Sequence, residues 1–206
     1  MCNNISKTAC LSAIILALLL ITGCGGRKQQ FTYKEMGESF FPTQNSTLFG
    51  ICDKGSDDST LVLINDVGDT LTLSTADALR KGTVMGGYRA GEHIAVQLSS
   101  DSASVLSCIN TTELLGVWLM PDPYDGSTII GINIKDGGDV DGIEQSNVIY
   151  KSWQIIDGQL ELTFVREGGI EEDETAAYTI RKLDRDSLVF ENEEDIYEYG
   201  RGRSYR

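Results

Sequence analysis

Hydrophobic and polar residues alternate along most of the chain after residue 45, with the period expected of strands that have one buried face. Leu71 and Leu73 alternate with threonines in the first half of the chain. Leu160 and Leu162 alternate with polar residues in the second half. Pairs and triplets of Asp and Gly, which favour turns, separate many of the runs. The pattern therefore predicts an all-β protein with very little helix.

The first group of predicted strands lies within residues 46–111. Five runs rich in Val, Ile, Leu and Thr are predicted as strands, at residues 48–54, 59–66, 69–75, 92–98 and 103–110. A helix is predicted over 75–82, because Thr75 is suited to cap its start and Gly82 to end it. Five strands with a helix after the third resemble an OB-like small β-barrel. These strands carry very few Lys, Arg and aromatic residues, so nucleic-acid binding is not expected of them.

The second group of predicted strands lies within residues 112–206. Eight strands are predicted, at residues 113–120, 128–135, 139–143, 147–156, 159–167, 176–183, 187–192 and 196–201. The connections between them are too short for parallel crossovers, which need a dozen or more residues. The pattern therefore predicts an antiparallel meander, and eight strands are enough to close it into a barrel.

Three residues in this second group carry a resemblance to a known family. Gly116 and Trp118 form a Gly-x-Trp motif on the first strand, and Arg201 follows the last strand. This arrangement resembles the lipocalins, and residues 113–206 resemble more narrowly the short lipocalin-like domain of bacterial lipoproteins. The resemblance implies that Trp118 closes one end of the barrel and that Arg201 stacks on its indole ring.

The resemblance also implies a binding protein that is not an enzyme. The expected ligand is a small hydrophobic molecule held in the barrel. Eight aromatic residues are candidates to line its mouth: Tyr124, Tyr150, Trp153, Phe164, Tyr178, Phe190, Tyr197 and Tyr199. We single out Tyr150 and Trp153 as the ligand-binding candidates. The alternative is a solidly packed barrel that serves as a protein-interaction or envelope-sensing module.

The start of the chain is typical of an export signal. Lys7 precedes the apolar run at residues 11–21, which is too short to span a bilayer. The run ends in Ile-Thr-Gly-Cys, which resembles the lipobox of bacterial lipoproteins. We therefore expect residues 1–23 to be a signal peptide and Cys24 to carry the lipid, with residues 24–45 as a linker. The expected location is the bacterial cell envelope, at the outer membrane, with the face left open.

Two further cysteines remain after this assignment, at positions 52 and 108. An exported chain meets an oxidising compartment, so a disulfide between Cys52 and Cys108 is one interpretation. Two buried free thiols are the other, because reduced Cys packs well in protein cores.

Composition and charge narrow the function further. The chain of 206 residues has a formal net charge of −14. The charge becomes −15 once residues 1–23 are removed, because Lys7 is the only charged residue among them. Such acidity disfavours nucleic-acid partners. His93 is the only histidine, so neither a zinc site nor a nucleophile with an imidazole base is expected.

The acidic run that begins at Asp136 does not have the spacing of a calcium-binding loop. Its third and twelfth residues are Gly138 and Asn147, where oxygen-rich ligands and a Glu are needed. We therefore predict a protein that is not an enzyme and that has no cofactor and no metal.

Overall fold

The computed structural model describes residues 47–145, 147–166, 168 and 172–202. The predicted signal peptide, Cys24 and the linker at 24–45 lie outside the described residues. Two β-sheets account for most of the described chain, and both belong to the same compact unit. The all-β prediction is therefore confirmed.

The first sheet contains the five strands predicted for the first half of the chain and one short strand that was not predicted. Its strands are β1 (Thr47–Cys52), β2 (Thr60–Asn65), β3 (Thr70–Ser74), β4 (Val84–Met85), β5 (His93–Leu98) and β6 (Val105–Asn110). They lie in the order β3-β2-β1-β5-β6-β4, and only β4 pairs in parallel. An isolated parallel bridge between Ser74 and Ser104 links the end of β3 to the approach to β6. The first sheet is thus curled into a partly open barrel, as the OB-like prediction required.

One helix follows β3, as predicted. This helix, α1, spans Ala76–Lys81 and ends at Gly82, whose φ of 69° suits glycine. Thr75 occupies the capping position, but its side chain makes no capping hydrogen bond. The Thr75 hydroxyl instead lies 2.9 Å from the hydroxyl of Tyr88. The side-chain cap predicted for Thr75 was therefore wrong, because a buried tertiary contact takes that hydroxyl.

The second sheet is an antiparallel meander of eight strands. They are β7 (Gly116–Pro121), β8 (Ile129–Ile134), β9 (Val140–Ile143), β10 (Val148–Ile156), β11 (Gln159–Arg166), β12 (Glu174–Leu183), β13 (Ser187–Glu191) and β14 (Ile196–Arg201). The order β10-β11-β12-β13-β14-β7-β8-β9 shows that the last strand pairs with the first, as in a barrel. The predicted eight-stranded barrel is therefore confirmed.

A narrow seam between β9 and β10 completes the barrel. The two strands are joined by an isolated antiparallel bridge between Asp139 and Ser152. Beside it, the Trp153 amide N–H donates to the Gly138 carbonyl at 2.8 Å. The barrel is nearly closed, with its weakest backbone pairing at this seam.

A short helix lies between the two sheets, where a continuous strand from residue 113 was predicted. This helix, α2, spans Thr111–Leu114, and β7 begins only at Gly116. The Asn110 side chain caps the helix by accepting a hydrogen bond from the Glu113 amide at 2.9 Å. The predicted strand start was wrong, because this cap and the Glu three residues later favour a helical turn.

The first sheet packs against one end of the barrel. On β5 three consecutive residues are buried, because Ile94 and Val96 face the interior of the first sheet while Ala95 joins the barrel core. The Gly86 amide donates to the Leu183 carbonyl at 2.9 Å, and the Asp157 amide donates to the Thr47 hydroxyl at 2.9 Å. The two sheets therefore share a hydrophobic core rather than meeting only through a linker.

The same end of the barrel is closed from within by an aromatic side chain and an arginine. The Trp118 ring is fully buried, and its indole N–H donates to the Leu114 carbonyl at 2.8 Å. The guanidinium carbon of Arg201 lies 3.8 Å from the centroid of that ring. Gly116 has a φ of 117°, and a Cβ there would lie 3.1 Å from a guanidinium nitrogen of Arg201. We call this the closed end of the barrel.

Replacing the buried indole is expected to destabilise the whole protein. Trp118→Ala should lower the free energy of unfolding by about 3–5 kcal/mol, because it leaves a large cavity and an arginine without its stacking partner. Urea unfolding followed by circular dichroism measures the loss. Tyr124→Ala is the control, since Tyr124 is 96% exposed and exposed substitutions usually change stability by less than about 0.5 kcal/mol. A loss for Trp118→Ala no larger than that of the control would contradict the prediction.

Candidate functional site

Cys52 and Cys108 are both buried free thiols in the core of the first sheet. The structure holds both as reduced thiols, which corresponds to the second of the two interpretations from the sequence. A disulfide between them stays a prediction. Burial raises the pKa of the Cys108 thiol to about 12. Cys108 is therefore a packing residue with an unreactive thiol.

Trp153 lies at the seam of the barrel, not at its mouth. It is half-buried on β10, and its indole N–H donates to the Lys135 carbonyl at 2.8 Å. Lys135 follows β8 at the closed end. In this position Trp153 ties β10 to the connection between β8 and β9, which gives it a structural part at the seam.

Tyr150 lies three residues before Trp153 on β10, and so further from the closed end. It belongs to an interior aromatic cluster. We call this the tyrosine cluster; its members are Tyr150, Phe164, Tyr178, Phe190, Tyr197 and Tyr199. The ring centroids of Tyr150 and Phe164 are 5.9 Å apart and edge-on. Those of Tyr178 and Phe190 are 5.0 Å apart. The cluster spans five strands and lines part of the barrel interior.

The meander places the tyrosine cluster towards the end of the barrel opposite Trp118. Because β7 starts at the closed end, the connections after β7, β9, β11 and β13 all lie at the other end. Tyr197 is the second residue of β14 and lies near this end, while Arg201 ends the strand at the closed end. We call the end opposite Trp118 the open end.

Two tyrosines of the cluster are almost completely buried, yet their hydroxyls have no hydrogen-bond partner. Tyr178 is 6% exposed and Tyr199 is 4% exposed. Neither hydroxyl makes a hydrogen bond to another described residue. No fully enclosed polar side-chain atom of the described residues lacks a partner, so these two hydroxyls must reach accessible space. Both hydroxyls are therefore available to water or to a ligand that enters this space.

Burial also changes the acidity of these tyrosines. It raises the pKa of Tyr150 to about 12, and it raises the pKa values of Tyr178, Tyr197 and Tyr199 as well. The tyrosines act on one another in the same direction, because an ionised neighbour disfavours a second negative charge. The four phenol groups therefore stay neutral at physiological pH and remain available both to donate and to accept hydrogen bonds.

A groove of about 500 Å³ lies elsewhere, on the outer face of the barrel. It is lined by Gln159, Ala177, Thr179, Glu191, Asn192 and Glu193. Thr179 follows the inward-facing Tyr178, and successive residues of a strand point to opposite faces. This groove is polar and external, so it lacks the apolar lining expected of a hydrophobic-ligand site.

Other chemistry has little support in the described part of the chain. His93 is the exposed first residue of β5, in the first sheet. Within 47–145, 147–166, 168 and 172–202, no group of three or more His, Cys, Asp or Glu side chains is placed to hold a metal ion. No helix of these residues has the length and apolar character needed to cross a membrane.

Comparison with known proteins identifies the second half of the chain. Residues 110–202 match the lipocalin-like family. This part of the chain, which contains the barrel, is a lipocalin-like domain. A solved structure of a lipocalin-like protein from Bacteroides thetaiotaomicron is similar at 25% identity, over 44% of this chain and 97% of that chain, with a TM-score of 0.39. A comparison with curated proteins gave no match.

The structure separates the eight aromatic candidates named from the sequence into three groups. Six of them form the tyrosine cluster, Trp153 lies at the seam, and Tyr124 is exposed in the connection after β7. Tyr178 and Tyr199 were not singled out from the sequence. For Tyr199 the sequence contained a usable pattern. Tyr197 and Tyr199 lie on the same strand face as Arg201, which the resemblance places inside the barrel.

Raising the pH through the range in which tyrosine ionises is expected to destabilise the protein. The unfolded chain releases its tyrosine protons near pH ~10, whereas the folded chain holds that of Tyr150 until about 12. The free energy of unfolding should therefore be unaffected by these groups below pH ~10 and fall as the pH rises towards 12.

Ultraviolet titration of tyrosinate tests this expectation. The native protein should show several tyrosines that ionise later than those of the same chain in guanidinium chloride. Tyr150→Phe should remove one late-ionising group and leave the others. Native and denatured chains that titrate together would contradict the burial of the cluster.

Proposed function

We propose that this protein is a lipid-anchored lipoprotein of the bacterial cell envelope whose barrel binds a small, largely apolar molecule at the open end without transforming it. The observation that carries the binding role concerns Tyr178 and Tyr199, which are almost completely buried but whose hydroxyls reach accessible space and bond to no described residue. A ligand that combines an apolar body with one polar group would satisfy both the hydroxyls and the surrounding rings. The lipocalin-like family of the barrel supports the same class of function.

The anchor is supported by the sequence. The apolar run at residues 11–21 and the lipobox-like end at Cys24 are the features of a lipoprotein signal. Two or three acyl chains hold a protein firmly on a membrane, because each buried methylene contributes about 0.8 kcal/mol. The outer membrane is the proposed location.

A second candidate function is docking of another envelope protein at the open end. Four large hydrophobic residues there are exposed: Tyr124, Ile129, Ile149 and Ile196. They lie in the connection after β7 or in the first two residues of strands β8, β10 and β14. Exposed apolar residues of this kind are compatible with a protein partner as well as with ligand entry.

Native mass spectrometry of the protein purified from its own host tests the binding role. We expect a retained small molecule in the wild-type protein and a clear loss of it in the double variant Tyr178→Phe/Tyr199→Phe. Tyr88→Phe is the matched control, because this tyrosine lies outside the barrel and already has partners in Thr75 and Asp57. A wild-type protein that carries no small molecule, binds no apolar probe and co-purifies with a protein would favour docking instead.

Fractionation of the host cells tests the anchor. The wild-type protein and the control Cys10→Ala should be recovered with the membranes and should incorporate labelled fatty acid. Cys24→Ala should lose the label, because the thiol that accepts the lipid is gone. Labelling of Cys24→Ala at the wild-type level would rule out this anchor.

A further inference from the structure

The open end of the barrel is surrounded by negative charge. Nine carboxylates lie in or directly beside the described parts of its four connections: Asp122, Asp125, Glu144, Glu172, Asp173, Glu174, Glu193, Glu194 and Asp195. All of them are exposed except Asp122, which is half-buried. At the closed end, by contrast, the Asp157 amide and the Leu183 carbonyl bond to the first sheet.

Most of this charge has no cationic partner among the described residues. Arg166 pairs with Glu174 at 3.0 Å, and Lys151 pairs with Asp173. The other seven carboxylates form no ion pair with a described residue. An anion that approaches this end meets their combined field, whereas a cation is attracted by it.

The tyrosine cluster lies directly inside this charged rim. Arg166 joins the two, because its guanidinium lies 5.3 Å from the centroid of the Phe164 ring and pairs with Glu174 at 3.0 Å. Burial is the main cause that raises the pKa of Tyr178 and of Tyr197, and the charge of Asp195 adds to it in both. The hydroxyls of Tyr178 and Tyr199 are the second, independent indication of a ligand here, because they belong to residues more than nine-tenths buried, reach accessible space and bond to no described residue. Charge and the unfilled hydrogen bonds therefore meet at the same end of the barrel.

The cluster also shows that its rings accept a cation. The guanidinium carbon of Arg166 lies 5.3 Å from the centroid of the Phe164 ring. Its charge is already matched by Glu174, so Arg166 is not a free partner for an anionic ligand. Aromatic faces with phenol oxygens nearby are well suited to an ammonium group, since both present negative electrostatic potential.

We propose that the molecule bound at the open end is a cationic amphiphile, with an apolar tail in the barrel and an amine or quaternary ammonium group among the tyrosines. This inference rests on the proposed binding function and names the class of ligand for the same site. The acidic rim draws the cation in, and the tyrosine rings and hydroxyls hold its head group. The partly apolar interior beneath them takes the tail.

Calorimetric titration with three probes that share a ten-carbon tail tests the inference. The probes are decyltrimethylammonium, decanol and decanoate, each used below its aggregation concentration. The chain without residues 1–24 is used because it needs no detergent and retains every residue of both sheets and their shared core. We expect one site at which the cation binds about tenfold more tightly than decanol and decanoate binds most weakly.

Two further comparisons separate binding at the rim from general attraction to an acidic protein. Raising the salt from about 0.05 to about 0.5 M should reduce the preference for the cation. Glu193→Gln/Glu194→Gln should weaken cation binding about threefold and leave decanol binding unchanged. Asp66→Asn/Asp69→Asn is the charge-matched control in the turn after β2, and it should have no effect.

The outcomes distinguish the inference from the function on which it rests. Decanol or decanoate binding at one site as tightly as the cation would overturn the cationic ligand and leave the binding function standing. An equal loss in the control and the rim variant would also overturn it, because the attraction would then be general. Failure of all three probes to bind at one site would overturn both.

Discussion

The fold depends on the stacking of Arg201 over Trp118, because this pair completes the hydrogen bonding of the segment that joins the two sheets. A helix as short as α2 cannot satisfy its own last carbonyls. The Trp118 indole takes the carbonyl of Leu114, and Arg201 takes those of Glu113 and Leu115. The side chains that close the barrel therefore also fix the connection between the sheets, and Gly116 provides the close approach that this needs.

The closed end in turn determines where the barrel can act. The first sheet covers it through Ala95 and Ile109, and α2 covers it through Leu114; all three belong to the same core as Trp118. With that end plugged from inside and covered from outside, the opposite end is where a ligand can reach the interior. The tyrosine cluster reaches that end at Tyr197, so the packing of one end and the accessible phenol groups towards the other are two consequences of the same arrangement.

Alternation of apolar and polar residues was sufficient to predict the eight barrel strands and the five main strands of the first sheet. The prediction from alternation failed where a single side chain determines the backbone conformation. At Asn110, the side-chain cap makes the start of a predicted strand helical, as α2. For Cys52 and Cys108 the sequence left two interpretations open, because sequence order does not show that β5 lies between their strands in the sheet. Trp153 could not be assigned to the seam without knowing that β9 and β10 meet there.

The excess of acidic residues in the composition indicates only solubility. The positions of these residues in the fold suggest in addition which charge a ligand carries. Among the residues that the structure describes, the open end carries nine carboxylates, and the two cations near them, Lys151 and Arg166, are each paired with one of these. Crowding like charges at one end costs stability through self-repulsion. The repulsion is therefore concentrated around the tyrosine cluster, which is where an electrostatic guide for a cation would be needed.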